Sequence, residues 1–202
     1  RSIIDLADFV LVFADEGKFA FKIDVIDSAG ALTKVDTPVF SRLDFGGARG
    51  AISTPKGVFY ANEKGLWQLT AVGQSDVPFS DQEQIITKLL TTDFFDDLTL
   101  TQMDLVFDSK RETVYMTCAR NSTFNNFVLW SNLETGAIGE FSGWNINRFL
   151  QDGANIYGAD SRNRQSYQCF ETFSDDGNDI GTEYLQELNT GAPETRKFLQ
   201  GL

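Results

Sequence analysis

The chain has 202 residues, 42% of them hydrophobic and 13% aromatic, so it is long enough to bury a substantial core as one large domain or two small ones. It contains no histidine, which excludes a Ser-His-Asp triad, a Cys-His dyad and a His-ligated zinc within this chain. The 17 basic and 29 acidic residues give a net charge of −12, which argues against an ordinary nucleic-acid-binding surface, because such a surface needs a basic patch.

Two further classes of protein find no support in the sequence. No run approaches the ~18 apolar residues of a membrane span, and no signal peptide is recognisable. Cys118 and Cys169 are too far apart for a CxxC pair, so we predict that both are buried as small hydrophobic residues. The chain begins at Arg1 and not at methionine, so we expect it to be a piece of a longer protein.

Short runs rich in Phe, Val, Ile, Tyr and Trp recur along the chain, separated by Asp, Asn, Gly and Ser, as in strands joined by tight turns. Four segments share one form, an apolar run, a polar turn and a second apolar run: Phe9 to Phe21, Gly57 to Leu69, Leu105 to Thr117 and Ile156 to Phe170. The sequence therefore predicts an all-β protein.

The turns of these segments are marked by Asp15, Asn62, Asp108 and Asp160, which are 47, 46 and 52 residues apart. A four-stranded propeller blade occupies about 40 to 50 residues. We therefore predict β-propeller-like antiparallel blades, with the four turns as hairpin tips of successive sheets around a common axis. A β-sandwich or meander without radial symmetry is the alternative.

One short helix is also predicted. Ser80 and Glu83 have the spacing of a capping box, and an apolar face follows it in the sequence. That face consists of Ile85, Ile86, Leu89 and Leu90.

Carboxylates are the only plentiful catalytic groups in this composition. Asp93, Asp96 and Asp97 could form the acid-base pair of a glycosidase, but the pattern favours a solvated loop after the helix. A calcium loop starting at Asp176 would have matching residues at Asn178 and Glu187, but Ile180 stands at the fifth position, where an oxygen ligand is required. A hairpin turn within Ser174 to Asp179 is therefore the better interpretation.

No other motif suggests chemistry. The Gly46 to Gly50 segment lacks the GK[ST] ending of a phosphate loop and reads as a connection between blades. Trp67 and Trp130 lie in alternating runs and are predicted to be core, whereas Trp144 flanks a turn and is the candidate for a surface contact. We predict no catalytic residue, no metal, no cofactor and no enzymatic activity.

Three segments together resemble the β-propeller-bearing tail proteins of short-tailed bacteriophages, the nozzle or packaged-DNA-stabilisation proteins. They are LVFDSKRETVYMTCA, FVLWSNLETGAIGEFSGW and IYGADSRNRQSYQCFETFSDDGNDI, with GVFYANEKGLWQL and FSDQEQII upstream. The resemblance covers about three quarters of the chain as a pattern of strands and turns, and members of that family are longer.

The resemblance implies a propeller-like domain over residues 1–188 and an exit segment over 189–202 that leads to a neighbouring domain. It also implies a virion structural protein, assembled in the host cytoplasm, that forms a homo-oligomer (a hexamer in a nozzle) and contacts portal or other tail proteins. DNA would pass nearby without specific binding. A carbohydrate-binding propeller, such as a lectin or tail adhesin, is the alternative, and a glycosidase propeller is the third.

The net charge adds a hypothesis about the channel. A wall rich in lysine or arginine would retain DNA, whereas an acidic wall lets it slide. One of the two densest acidic patches is therefore expected to face the lumen of the ring, with the neighbouring aromatic residues packed inward. These patches comprise Asp93, Asp96 and Asp97 in one segment and Asp175, Asp176 and Asp179 in the other.

Overall fold

The computed structural model describes residues 2–6, 9–14, 17–26, 32–35, 39–41, 50–62, 64–70, 83–87, 92–160, 162–170, 174–175 and 178–179. Strands account for about two thirds of these residues and the only helix among them is short, which confirms the predicted all-β class. The strands form four antiparallel sheets and one short two-stranded ladder.

The first two sheets precede the helix. Sheet 1 contains β1 (Ser2–Leu6), β2 (Phe9–Ala14), β3 (Gly17–Ile26), β4 (Leu32–Val35) and β5 (Val39–Ser41), in the order β1-β2-β3-β4 with β5 also paired to β3. Sheet 2 is a meander of β6 (Ala51–Thr54), β7 (Gly57–Asn62), β8 (Gly65–Leu69) and β9 (Glu83–Ile85). Helix α1 (Thr92–Asp96) follows.

The remaining sheets are also meanders. Sheet 3 contains β10 (Leu98–Asp108), β11 (Thr113–Arg120), β12 (Phe127–Asn132) and β13 (Ile138–Ser142). Sheet 4 contains β14 (Arg148–Asp152), β15 (Asn155–Asp160) and β16 (Gln165–Cys169). Strands β17 (Ser174–Asp175) and β18 (Asn178–Asp179) pair with each other, which agrees with the hairpin predicted there.

The four sheets start at nearly equal intervals. Their first strands begin at Ser2, Ala51, Leu98 and Arg148, which are 49, 47 and 50 residues apart. Along the chain, β1 contacts β6, β6 contacts β10, and β10 contacts β14. Each meander therefore places its first strand beside the first strand of the next sheet.

The two middle sheets are buried on both faces because their side chains alternate between two neighbours. In β7, Val58 and Tyr60 belong to the cluster shared with sheet 1, whereas Phe59 and Ala61 belong to the cluster shared with sheet 3. This explains why β7 is apolar at five consecutive positions instead of alternating between apolar and polar residues. Strand β11 repeats the arrangement between sheets 2 and 4.

Two close contacts depend on glycine. A Cβ at Gly50 would lie 2.0 Å from Cε of the buried Met103, where β10 bulges out of register between Thr99 and Asp104. Gly139 pairs with Trp130 across β12 and β13, and a Cβ there would lie 2.3 Å from Cζ2 of the indole. The Trp130 ring therefore covers a position that has no side chain.

Three of the four marked turns are hairpin tips in successive sheets. Asn62 ends β7, Asp108 ends β10 and Asp160 ends β15, while Asp15 lies outside the described residues. In each turn the Oδ1 atom accepts a backbone N–H two residues later, at 2.8 to 2.9 Å. The repeat is nevertheless out of phase, because Asp108 follows a first strand whereas Asn62 and Asp160 follow second strands.

The prediction of a helix after Ser80 is wrong. Glu83 to Ile85 form β9, which pairs with Leu69 to Trp67 of β8 and completes sheet 2. Because β8 offers a row of backbone partners, tertiary pairing outweighs the short helical signal. The helix lies instead at Thr92–Asp96, where a loop was predicted.

Candidate functional site

The first acidic patch lies on and just after helix α1. Asp93 and Asp96 are in the helix, and the side chains of Asp96 and Asp97 are exposed. Phe95, between them, is buried in the cluster shared by sheets 2 and 3. The chain therefore anchors this turn through its aromatic residues and presents carboxylates to solvent.

The second acidic patch is only partly visible. Asp175 and Asp179 lie in β17 and β18, and Asp176 lies outside the described residues, as does the exit segment 189–202. Among the described residues, no group of three or more carboxylate or thiol side chains is placed to hold a metal ion.

Trp144 is half-buried at the seam between sheets 3 and 4. Its ring stacks on Phe141 with centroids 4.9 Å apart and on Phe170 with centroids 5.4 Å apart. Phe170 also stacks on Tyr115 at 4.0 Å, and burial raises the pKa of Tyr115 to about 12. Much of the Trp144 surface is thus used for packing, and only the remainder is open to a surface contact.

The other predicted core residues do pack inward. Trp67 is half-buried against the cluster between sheets 1 and 2, and Trp130 against the one between sheets 3 and 4. Cys118 and Cys169 are buried in separate clusters, as predicted. Desolvation raises the pKa of the Cys118 thiol to about 12, so it stays protonated and unreactive.

Lys18 is a buried ionisable group that the sequence did not reveal. It lies in β3 with 1% of its surface exposed, and its Nζ donates to the Tyr60 hydroxyl of β7 at 2.8 Å. Desolvation lowers the pKa of Lys18 to about 7 and raises the pKa of Tyr60 well above its usual value. An amine with that pKa is a nucleophile near neutral pH, but this one is enclosed between sheets 1 and 2, where it donates to Tyr60.

Asp104 is a half-buried ionisable group that joins the first strands of sheets 3 and 4. Its Oδ2 accepts the backbone N–H of Phe149 at 2.8 Å, and its Oδ1 lies 3.4 Å from Nη1 of Arg148. Desolvation raises the pKa of Asp104, although both contacts oppose that rise. The carboxylate thus links β10 to β14 at the point where β10 leaves its bulge.

These polar groups have one property in common, which is that they connect neighbouring sheets. Lys18 and Tyr60 join sheets 1 and 2, and Asp104 joins sheets 3 and 4. In the part of the chain that the structure covers, no helix is both long and apolar enough to cross a membrane. No protein-family model matches this chain, and no curated protein matches it significantly.

Proposed function

We propose that this chain is a non-catalytic structural module of a bacteriophage tail. In this proposal its sheets are successive blades of a propeller-like array that assembles into a ring around the DNA channel. The observation that carries the proposal is the series of contacts between first strands, from β1 to β6 to β10 to β14. Radially arranged blades bring their first strands together in this way.

The outermost sheets supply a second argument. Ile3 of β1 is 74% exposed and Leu150 of β14 is 67% exposed, although each has a neighbour, Ile4 and Phe149, that packs into the core. Because strand side chains alternate, both exposed residues point away from the array. Two apolar positions on equivalent strands at opposite ends favour a head-to-tail contact between copies, which can close into a ring.

The test is the assembly state of the purified protein, measured by native mass spectrometry and negative-stain electron microscopy. We expect closed rings, hexameric for a nozzle. Ile3→Asp or Leu150→Asp should shift the population to monomers, because each buries a charge in the contact. Phe124→Asp is the matched control, since Phe124 is 47% exposed in a turn of sheet 3 and should leave the rings intact. A wild-type protein that stays monomeric at high concentration would contradict the proposal.

The acidic residues define the expected relation to DNA. Asp96 and Asp97 are exposed, and at physiological salt their repulsion extends about 8 Å, so it acts only on DNA close to the wall. We expect rings to bind duplex DNA more weakly than micromolar even at low salt. Asp96→Lys with Asp97→Lys should make them retain DNA.

A charge-matched control separates the lumen from overall charge. Glu134 and Asp152 are also exposed, but Glu134 lies in the turn between β12 and β13 and Asp152 ends β14, both at the other end of the sheets. If Glu134→Lys with Asp152→Lys retains DNA equally well, the acidic patch on α1 does not line the channel.

A further inference from the structure

A cleft lined by both polar and apolar side chains lies between sheets 2 and 3, near their outer strands, and the proposed assembly does not use it. Its volume is about 250 Å³. The lining comes from the β6–β7 turn, from β8 and β9, and from the end of β12 with the turn that follows. It consists of Lys56, Gln68, Gln84, Ile85, Ile86, Ser131, Asn132, Leu133 and Gly136.

Two glutamine side chains form one wall. Gln68 and Gln84 are partners across β8 and β9, and Nε2 of Gln84 donates to Oε1 of Gln68 at 2.7 Å. Nε2 of Gln68 in turn donates to the carbonyl of Lys56 at 2.7 Å. This chain of bonds orients both amides before any ligand arrives. A primary amide offers both donors and an acceptor, which suits a hydroxyl group.

Ser131 supplies a buried hydroxyl with no partner. It is 0% exposed, and its Oγ makes no hydrogen bond in the described structure. Along β12 it shares its face with Phe127 and Leu129, which pack against sheet 2, so the hydroxyl points toward the cleft. Buried hydroxyl groups are nearly always hydrogen-bonded, and this one therefore indicates a missing partner.

The charge of the cleft is balanced. Its one charged side chain, Lys56, has its Nζ 3.2 Å from Oε2 of Glu112 and 3.5 Å from the carbonyl of Leu133. An anionic ligand would have to compete with that carboxylate. The apolar residues Ile85 and Ile86 offer contact to carbon atoms instead.

We propose that this cleft binds one ring of a neutral saccharide. Hydroxyl groups both donate and accept, as the two glutamine amides and Ser131 require, and the C–H face of a sugar ring fits against isoleucine. The cleft is smaller than the roughly 300–1,000 Å³ of sites for drug-sized ligands, which limits the occupant to about one ring. This inference goes beyond the structural role, and it does not depend on ring assembly.

The test is ligand-observed and ¹H–¹⁵N NMR on the full chain with glucose, galactose, rhamnose and N-acetylglucosamine as separate probes. Inorganic phosphate is the anionic comparison. We expect at least one sugar to bind with millimolar affinity and to shift the amide resonances of Gln84 and Ser131. Ser131→Ala and Gln84→Ala should each weaken that binding about tenfold, and Gln168→Ala, an exposed amide on β16, should not change it.

Thermal stability distinguishes a loss of sugar binding from a loss of folded protein. Ser131→Ala removes an unsatisfied hydroxyl, so its Tm should equal or exceed that of the wild type while sugar binding weakens about tenfold. Absence of binding by all four sugars would overturn the proposal. So would binding that survives both cleft substitutions, or phosphate binding tighter than sugar binding.

Discussion

The interfaces on the two faces of sheet 2 are built differently. On the face toward sheet 3, the buried cluster consists of aliphatic and aromatic side chains, including Phe59 and Phe127, together with the Cys118 thiol. On the face toward sheet 1, the cluster surrounds the Lys18 amine and the Tyr60 hydroxyl. Similar spacing along the chain therefore does not impose similar packing.

The difference teaches where this protein is sensitive to pH. Among the described residues, the buried cluster of the apolar interface contains one ionisable group, the Cys118 thiol, whose pKa burial raises to about 12. The Lys18 interface contains an amine with a pKa lowered to about 7. Truncating a buried side chain should therefore cost most stability at the face toward sheet 3, whereas the stability contributed by the face toward sheet 1 should depend on pH.

The largest effect is expected from a cavity in the apolar interface. Phe127→Ala should lower the free energy of unfolding by about 3–5 kcal/mol, because it removes a fully buried ring and leaves a void. Urea denaturation measures this loss. Phe124→Ala, three residues earlier and exposed, should change stability by less than about 0.5 kcal/mol. Equal losses would mean that the interface is not tightly packed.

A smaller effect is expected from pH at the other interface. Because the folded-state pKa of Lys18 is lowered from 10.5 to about 7, the unfolded chain binds this proton more tightly between those values. Stability therefore rises with pH in that window, by about 2 kcal/mol from pH 7 to 9. The raised pKa of Tyr60 has the opposite consequence above pH 10, where ionisation favours the unfolded chain.

The variant that isolates this effect is Lys18→Met with Tyr60→Phe, which should flatten the rise relative to wild type in urea denaturation at several pH values. Lys64→Met, at an exposed turn position, should keep it. A double variant with an unchanged pH slope would show that the slope comes from other groups.

The smallest effect is expected at the rim of the apolar interface. Arg120 lies with its guanidinium 3.9 Å from the Phe127 centroid and makes an ion pair with Glu140 at 3.3 Å. Because the pair is partly solvated, Glu140→Gln should cost less than about 1 kcal/mol, and the cost should shrink in high salt. Thermal denaturation at low and high salt measures it, with exposed Glu134→Gln as control. A cost above about 2 kcal/mol would contradict this placement, because only an ion pair buried in the core should contribute that much.

Local turn chemistry was readable from the sequence, whereas features set by distant contacts were not. Asn62 and Asp160 mark hairpin tips because their side chains bond to the backbone only two residues later. The Glu83–Ile85 strand depends instead on β8, and nothing within the segment itself signals that partner.

The site residues follow the same rule. Lys18 precedes the alternating run Phe19-Ala20-Phe21, whose aromatic residues suggest that their face is the buried one, but Lys18 and Ala20 are the buried residues. In the sequence, Ser131 is an ordinary polar residue near a strand end, and only the packing of sheet 2 against sheet 3 shows that it is buried beside the cleft. Burial of a polar residue between two sheets has no local signature, so sequence patterns miss such groups.

The contact between Trp130 and Gly139 constrains how this chain can change over evolution. Position 139 accepts a side chain only after the indole at 130 has been replaced by something smaller, because a Cβ would lie 2.3 Å from the ring. If Gly139 is substituted first, the new side chain clashes with the indole of Trp130. If Trp130 is substituted first, it leaves a gap that a side chain at position 139 can then fill. Among relatives of this protein, the two positions should therefore vary together and in that order, with a large aromatic residue at one accompanied by glycine at the other.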